Sequence, residues 1–231
     1  MYTKKYSTQK YIFLSLIFLR TAYCNSFNFF SGSSDSSAKI FKISLNPAAP
    51  TKRTICDYTE EHLAFEICQA IQTKLTATHH QIQVNLTREP GAELSRMQIA
   101  SNSNQANTKL FLSLHLYQTC NTKPTINIFY YTKQRFCSNL NFTNLNFINY
   151  SNAYLASCDQ TINWGHKITN YLDQNKKQQF EVAPLVGLPL KPLAGIQAPA
   201  LSIEIGLKNS DWRPYVAPIA EAVLLCILPT L

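Results

Sequence analysis

Residues 109–115 read KLFLSLH, and this stretch indicates best how the 231-residue chain folds. Its leucines and phenylalanine form a short, continuous apolar run, which is typical of a strand buried inside a sheet. Further strand patterns and helical patterns alternate along the chain, at residues 38–45, 59–75, 82–87, 94–105, 126–132, 153–174, 200–206 and 215–228. This alternation predicts a single-domain α/β fold, in which helices cover both faces of a mostly parallel, twisted sheet.

Local signals support several of these elements. Thr59 is placed as a helix N-cap, and Glu60 follows it in the first turn, where the helix dipole favours anions. Leu94, Met97 and Ala100 are spaced to share one face of the next helix. The Asn-rich residues 138–150 and the Pro- and Gly-containing residues 185–196 are predicted as loops.

The N-terminal segment has the pattern of a secretory signal. Lys4 and Lys5 precede the apolar residues 11–19, and Ala22 and Cys24 have the spacing of a small-residue cleavage site. An uncleaved membrane anchor is the open alternative. We therefore expect a signal peptide (1–24), a Ser-rich linker (25–37) and a domain (38–231), exported to the periplasm or the cell exterior. The domain is expected to be a monomer that meets the membrane only through this first segment.

The net charge of the chain limits the classes of partner that the protein is expected to bind. The 21 basic and 13 acidic residues give +8, and removal of residues 1–24, which carry four basic residues and no acid, leaves 17 − 13 = +4. This remainder suits an anionic surface such as a cell wall, and it does not indicate nucleic acid. With 12% aromatic and only 15% charged residues, the composition excludes disorder over most of the chain.

The cysteines exclude two common motifs. The seven cysteines contain no C-x-x-C pair, so a zinc ribbon and a thioredoxin motif are both excluded. Cys68 and Cys226 fall on apolar helix faces and are expected to be buried thiols. The better candidates for disulfides are Cys120, Cys137 and Cys158, whose pairing the sequence leaves open.

Chemically active side chains follow the predicted strands. In parallel sheets, ligands bind beyond the carboxyl ends of the strands. Asn46, Glu60, Arg88, His115 and Glu204 stand at or near such ends, so we expect them to cluster at one edge of the sheet. Glu204 lies in an apolar run, where an unpaired carboxylate is expensive to bury, and this favours a function or a specific partner for it.

Three segments, taken in order, resemble the zinc-dependent N-acetylmuramoyl-L-alanine amidases, which are cell-wall hydrolases. They are LNPAA (45–49) followed by Glu60, then VNLTR (84–88) with Arg96, Asn104 and LFLSLH (110–115), and lastly APALSIEIGLKN (198–209). The family has strand-Asp-Pro-Gly-His and a helix-initial Glu in the first, Leu-Thr-Arg and Leu-Phe-Ile-Ser-Ile-His in the second, and Pro-Ala-Val-Leu-Val-Glu in the third. The resemblance extends over residues 38–228.

The resemblance implies roles for individual residues. Glu60 and His115 would be zinc ligands, Glu204 the general base, and Arg88 and Arg96 supporting residues. Taken by themselves, the two arginines are expected to hold the structure by pairing with carboxylates. Catalytic zinc takes three protein ligands and a water, whose pKa it lowers. The first ligand histidine of the family, however, falls on Ala49, and Asn46 stands where the family has Asp. Either a neighbour such as Cys56, Asp57 or His62 replaces the missing ligand, or the site is inactive.

The function hypotheses follow from this departure. The first is a peptidoglycan amidase that cleaves the bond between N-acetylmuramic acid and L-alanine with one zinc ion. The alternative is an inactive protein of the same fold that binds peptidoglycan or a division-site partner. A zinc peptidase of similar fold is the third.

Overall fold

The computed structural model describes residues 40–133, 149–174 and 180–230. In chain order its elements are β1 (Phe41–Pro47), β2 (Thr54–Ile55), β3 (Tyr58–Thr59), α1 (Glu60–Thr78), β4 (Ile82–Leu86), α2 (Arg96–Gln105), β5 (Leu110–Gln118), β6 (Thr125–Tyr131), α3 (Cys158–Gln174), β7 (Glu181–Val182), β8 (Val186–Leu188), β9 (Ala200–Leu207) and α4 (Arg213–Ile227). Short 3-10 helices cover Tyr150–Ser157, Lys191–Leu193 and Leu228–Thr230. The predicted signal segment (1–24), linker (25–37), Cys137 and residues 138–148 of the predicted loop lie outside the described residues.

The main sheet has the order β4-β1-β5-β9-β6-β7, and β8 also pairs with β6. The four strands from β4 to β9 are mutually parallel, whereas β6 runs antiparallel to β9. All described residues belong to one compact unit. The predicted α/β class with a mostly parallel sheet is therefore confirmed.

Helices cover both faces of the sheet, as the alternation of strands and helices predicts. On one face, strand residues such as Ile43, Leu112 and Ile203 pack with α1, α3 and α4 in one apolar cluster. On the other face, Phe111 packs with Ile99 of α2 in a second cluster. The helical residues Arg213–Thr230 are long and apolar enough to cross a membrane. We assign α4 to the core, because much of its apolar surface lies in the first cluster.

Two local predictions are wrong, and one element was not predicted. Residues 185–196 are not wholly loop, because Val186–Leu188 pairs with Phe129–Tyr131 of β6 and satisfies the backbone groups of that edge. The β2–β3 hairpin is an element that the sequence patterns do not indicate. Met97 is 69% exposed, because α2 buries Ile99 and Ala100 instead.

The ends of the central strands are staggered, and this positions the site. β1 stops at Pro47, which pairs with Leu114 and has no N–H to extend a ladder. β5 continues to Gln118 beside β9, which ends at Leu207. His115 and Glu204 therefore lie within strands and not at their ends. Beyond Leu114, one edge of β5 is left without a strand partner from β1.

Candidate functional site

Glu60 occupies the edge of β5 that β1 leaves free. Thr59 caps α1 by accepting a hydrogen bond from the N–H of His62 at 3.3 Å, so the helix begins beside this edge. The Glu60 carboxylate is only 2% exposed, and its Oε1 accepts the backbone N–H of Leu116 at 3.3 Å. The acid thus has a structural use, since it satisfies a backbone donor that the sheet leaves unpaired.

The same oxygen of Glu60 contacts His115. The Nδ1 atom of His115 lies 3.3 Å from Glu60 Oε1, and its Nε2 atom lies 3.1 Å from Ser113 Oγ. A buried carboxylate is costly unless it is hydrogen-bonded, and Glu60 has two such partners. The structure thus brings together Glu60 and His115, the two residues that the family resemblance assigns as ligands.

A buried amide continues this network. Asn46 is 3% exposed, and its Nδ2 donates to Ser113 Oγ at 2.9 Å. Its Oδ1 accepts from Thr87 Oγ1 at 2.7 Å and from Arg88 Nη2 at 3.3 Å. Burial lowers the pKa of Arg88, and the charge of Glu61 partly offsets this. Five side chains from four different segments are therefore joined between Arg88 and Glu60.

The expected pairing of the two arginines with carboxylates is wrong. Arg88 is 7% exposed, yet within the described part of the chain it forms no ion pair, and its Nε has no hydrogen-bond partner. Arg96 is exposed and likewise forms no ion pair with any described residue. Arg88 is instead held by the amide oxygen of Asn46, the residue that resemblance places where the family has an acid.

Glu204 stands beside His115 on the neighbouring strand. The two are in register across β5 and β9, and Glu204 is in register with Asn127 on its other side. Adjacent strands are roughly 4.8 Å apart, and residues in register face the same side of a sheet. The carboxylate is half-buried and has no hydrogen bond or ion pair to any described residue. Next along this face, Asn127 Nδ2 donates to Tyr117 Oη at 3.0 Å.

Asn46, Arg88 and His115 of this network border an open cleft of about 640 Å³. Its lining comprises Asn46, Ala49, Arg88, Leu94, Ser95, Arg96, Met97, Ile99, His115, Tyr150 and Pro192. Two of these residues are arginines, and no acid occurs among the described lining residues. The exposed Met97 and Tyr150 give the cleft an apolar border. The arrangement suits a ligand that carries both carboxylates and small apolar groups.

The described residues do not fit a three-ligand zinc centre. Nowhere in residues 40–133, 149–174 and 180–230 do three His, Cys, Asp or Glu side chains form a group that could hold a metal ion. Ala49, which lines the cleft, has no metal-binding atom in its side chain. Glu60 and His115 alone supply two ligands, whereas catalytic zinc takes three.

The candidate replacements for the third ligand have other partners. Cys56 and Asp57 have positive φ of 47° and 73°, and they form the tight turn between β2 and β3. The Cys56 thiol faces the carbonyl oxygen of Lys208 at 3.8 Å. His62 pairs with Glu66 at 3.4 Å on α1. The structure therefore gives no support to the hypothesis that one of these three residues completes a zinc site.

Sequence reasoning missed two members of the network. Ser113 is fully buried and links Asn46 to His115, and Thr87 anchors the amide oxygen of Asn46. A signal was present for Ser113, since it lies two residues before His115 and so shares its face of the strand. The link to Asn46 has no local signal, because Asn46 lies 67 positions away from Ser113.

Comparison with known proteins gives a consistent result. A family model described as N-acetylmuramoyl-L-alanine amidase matches residues 49–214. Among solved structures, the amidase of that name from Clostridium difficile 630 is 19% identical, with a TM-score of 0.55 over 83% of this chain and 97% of that one. The apo form of Ami1 from Mycobacterium abscessus is 16% identical, with a TM-score of 0.57 and coverages of 82% and 97%.

A third solved structure agrees with these two. AmiC2 of Nostoc punctiforme is 16% identical, with a TM-score of 0.56 over 82% of this chain and 96% of that one. At such identities the likeness establishes the fold. No curated protein sequence matches the chain.

Proposed function

We propose, from the premise that this chain belongs to the N-acetylmuramoyl-L-alanine amidase family, that it binds peptidoglycan in the cleft without hydrolysing it through a zinc centre. The observation that carries the proposal is the donor set. Glu60 and His115 bond to each other, Ala49 stands at the position of the remaining ligand, and no described group of three ligands exists. A fold commonly persists after its reaction is lost.

The cleft supports the ligand class. Wall peptides carry free carboxylates and alanine methyl groups. Arg88 and Arg96 line the cleft without a neutralising acid among the described lining residues, and Leu94 and Met97 provide apolar contact. Arginine binds carboxylates well because its planar fork donates two parallel hydrogen bonds. The N-terminal residues 1–24 support export to the compartment in which this ligand occurs.

The test combines zinc content with sedimentation and product analysis. Purified protein is incubated with peptidoglycan sacculi, and we expect it to co-sediment, to contain no tightly bound zinc and to release no soluble wall peptide. Arg96→Gln should weaken sedimentation several-fold, because Arg96 is exposed in the cleft and its loss leaves the core intact. Arg213→Gln is the matched control, since the Arg213 side chain is 79% exposed and pairs with Asp211.

Hydrolysis remains the second candidate function, and one observation favours it. Glu204 is unpaired among the described residues and in register with His115, where a general base would stand. Release of wall peptides by the wild type, abolished by Glu204→Gln, would establish hydrolysis and overturn the binding proposal. If both proteins release peptide equally, Glu204 is not the base.

A further inference from the structure

The hydrogen bonds around Asn46 determine which way its amide faces. A guanidinium only donates hydrogen bonds, so the amide atom nearest Arg88 Nη2 must be the oxygen. The hydroxyl of Thr87 also donates to this oxygen. The amide nitrogen therefore faces Ser113, and Nδ2–H donates to Ser113 Oγ at 2.9 Å.

The orientation of the Asn46 amide determines which hydrogen bond Ser113 makes to His115. The Ser113 hydroxyl has one proton to donate, and it already accepts from Asn46. Ser113 is fully buried, and His115 Nε2 is the only other described atom within hydrogen-bond distance of its oxygen. A buried hydroxyl proton without an acceptor is costly, so Ser113 donates to Nε2. The Nε2 atom is then an unprotonated acceptor.

The contacts of Nδ1, on the other side of the His115 ring, indicate the same tautomer. His115 Nδ1 faces Glu60 Oε1 at 3.3 Å. A carboxylate oxygen is an acceptor, and it also receives the Leu116 N–H, so a lone pair on Nδ1 would be repelled there. The proton of the neutral ring therefore sits on Nδ1, and the network runs in one direction from Arg88 to Glu60.

We propose that Asn46 is a positioning residue that holds His115 in the tautomer with its proton on Nδ1, and so turns an N–H toward Glu60. A carboxylate at position 46 only accepts. It would accept a hydrogen bond from the Ser113 hydroxyl, and Ser113 would in turn accept one from Nε2–H. The hydrogen bonds between position 46 and Nε2 would then run in the opposite direction. With its proton on Nδ1, His115 cannot coordinate a metal ion through the ring nitrogen that faces Glu60, because coordination needs a lone pair on that nitrogen. This inference rests on hydrogen bonds alone and does not depend on peptidoglycan binding.

Long-range ¹H–¹⁵N NMR spectra of the purified full chain test the proposal directly, since they show which ring nitrogen carries the proton. His115→Gln identifies the His115 signals among those of the five histidines. We expect the wild type to have a protonated Nδ1 and an unprotonated Nε2. Asn46→Asp should place a proton on Nε2. A wild type protonated on Nε2, or an Asn46→Asp protein that keeps Nε2 unprotonated, would overturn the proposal.

Two further variants separate orientation from general disturbance of the fold. Thr87→Val removes one donor to Asn46 but leaves Arg88 to orient the amide, so the tautomer should not change. Ser113→Ala breaks the network, so adding Asn46→Asp to it should no longer move the ring proton. If the aspartate moves the proton without Ser113, the assigned route is wrong.

Zinc binding by a repaired site provides a second readout. Ala49→His supplies the missing side chain, and Asn46→Asp lets Nε2 carry the ring proton, so that Nδ1 can present its lone pair to a metal ion held beside Glu60. The double variant should bind zinc about 10–100-fold more tightly than Ala49→His alone in equilibrium dialysis, the range in which loss of an outer-shell partner alters metal affinity. Equal affinities in the two variants would contradict a role of Asn46 in directing the ring proton.

Discussion

Glu60 combines two roles that the sequence presents as alternatives. The first is a first-turn acid that the helix dipole favours, and the second is a carboxylate of the candidate site. The structure shows the acid buried at a strand edge, bonded to the Leu116 backbone and to His115. The start of α1 therefore places at the site a carboxylate that also accepts a hydrogen bond from the edge of β5 that β1 leaves free.

Replacing this charge should destabilise the protein. Glu60→Gln keeps the shape but replaces hydrogen bonds to a charged acceptor with neutral ones, so we expect unfolding free energy to fall by about 1–2 kcal/mol. Urea denaturation measures this. Glu89→Gln makes the same chemical change at an exposed position and should stay within about 0.5 kcal/mol of the wild type. Equal losses of unfolding free energy in the two variants would show that the charge of Glu60 contributes no more to stability than that of an exposed glutamate.

The described thiols differ sharply in solvent exposure. Cys68 and Cys226 are each 1% exposed, which confirms their expected burial, and burial raises the pKa of both thiols, that of Cys226 to about 11. Cys120, expected to form a disulfide, is a free and exposed thiol, whereas Cys158 is disulfide-bonded. The expectation for Cys120 is wrong.

Thiol labelling at neutral pH checks these environments. The thiolate is the reactive form, so Cys120→Ser should remove fast-reacting signal from the native protein. Cys68→Ala should leave the fast phase unchanged, because Cys68 reacts only after unfolding. A native-state signal that is insensitive to Cys120→Ser would contradict this order.

At the scale of elements, the start of α1 and the end of β1 together create the site. The sequence predicts both the cap at Thr59 and the following helix, since these depend on neighbouring residues. It does not predict that β1 ends one pair before His115, because that stagger depends on pairing between Pro47 and Leu114. Local patterns consequently place His115 at a strand end, whereas β5 continues to Gln118.

The cap gives an element-scale prediction. Thr59→Ala removes the acceptor for the His62 N–H, so the first turn of α1 should fray and unfolding free energy should drop by about 1 kcal/mol. Thermal or urea unfolding provides the measurement. Thr54→Ala, at an exposed position of β2, is the control and should change stability by only a few tenths of a kcal/mol. A larger loss at Thr54 than at Thr59 would reject the capping role.

At the scale of the whole molecule, we expect the buried thiol of Cys226 and the buried phenol of Tyr215 to lower stability at alkaline pH. Burial raises the pKa of Cys226 from 9.0 to about 11, and that of Tyr215 from 10.0 to about 12. Above pH 9 the unfolded chain therefore loses protons that the folded chain keeps, so stability falls as pH rises.

Melting temperatures measured from pH 8 to above pH 10 test this sign. We expect a continuous decline, and Tyr215→Phe should flatten the part above pH 10 because it removes that titrating group while keeping the ring against Phe180. A wild type whose melting temperature holds steady or rises across this range would show that these groups do not titrate as burial requires.

The overall charge gives a second prediction for the whole molecule. Attraction between a cationic cleft and an anionic wall is screened by salt, so sacculus binding should weaken when salt is raised above about 0.1 M, where the Debye length falls below about 10 Å. Co-sedimentation over a salt series measures it, and Arg96→Gln should reduce the slope. Binding that is insensitive to salt would place the interaction in apolar contacts such as Met97.

The sequence by itself determined the α/β class, the order of the longer helices and strands, and the family, because hydrophobic period, caps and short motifs are local properties. It also showed that Ala49 offers no metal donor. Only the tertiary structure decided that no described neighbour replaces that ligand, and that Asn46, Ser113 and His115 form one directed network. The contact between Asn46 and Ser113 joins residues 67 positions apart, and the direction of the network depends on which atom faces which, a property that no local pattern encodes.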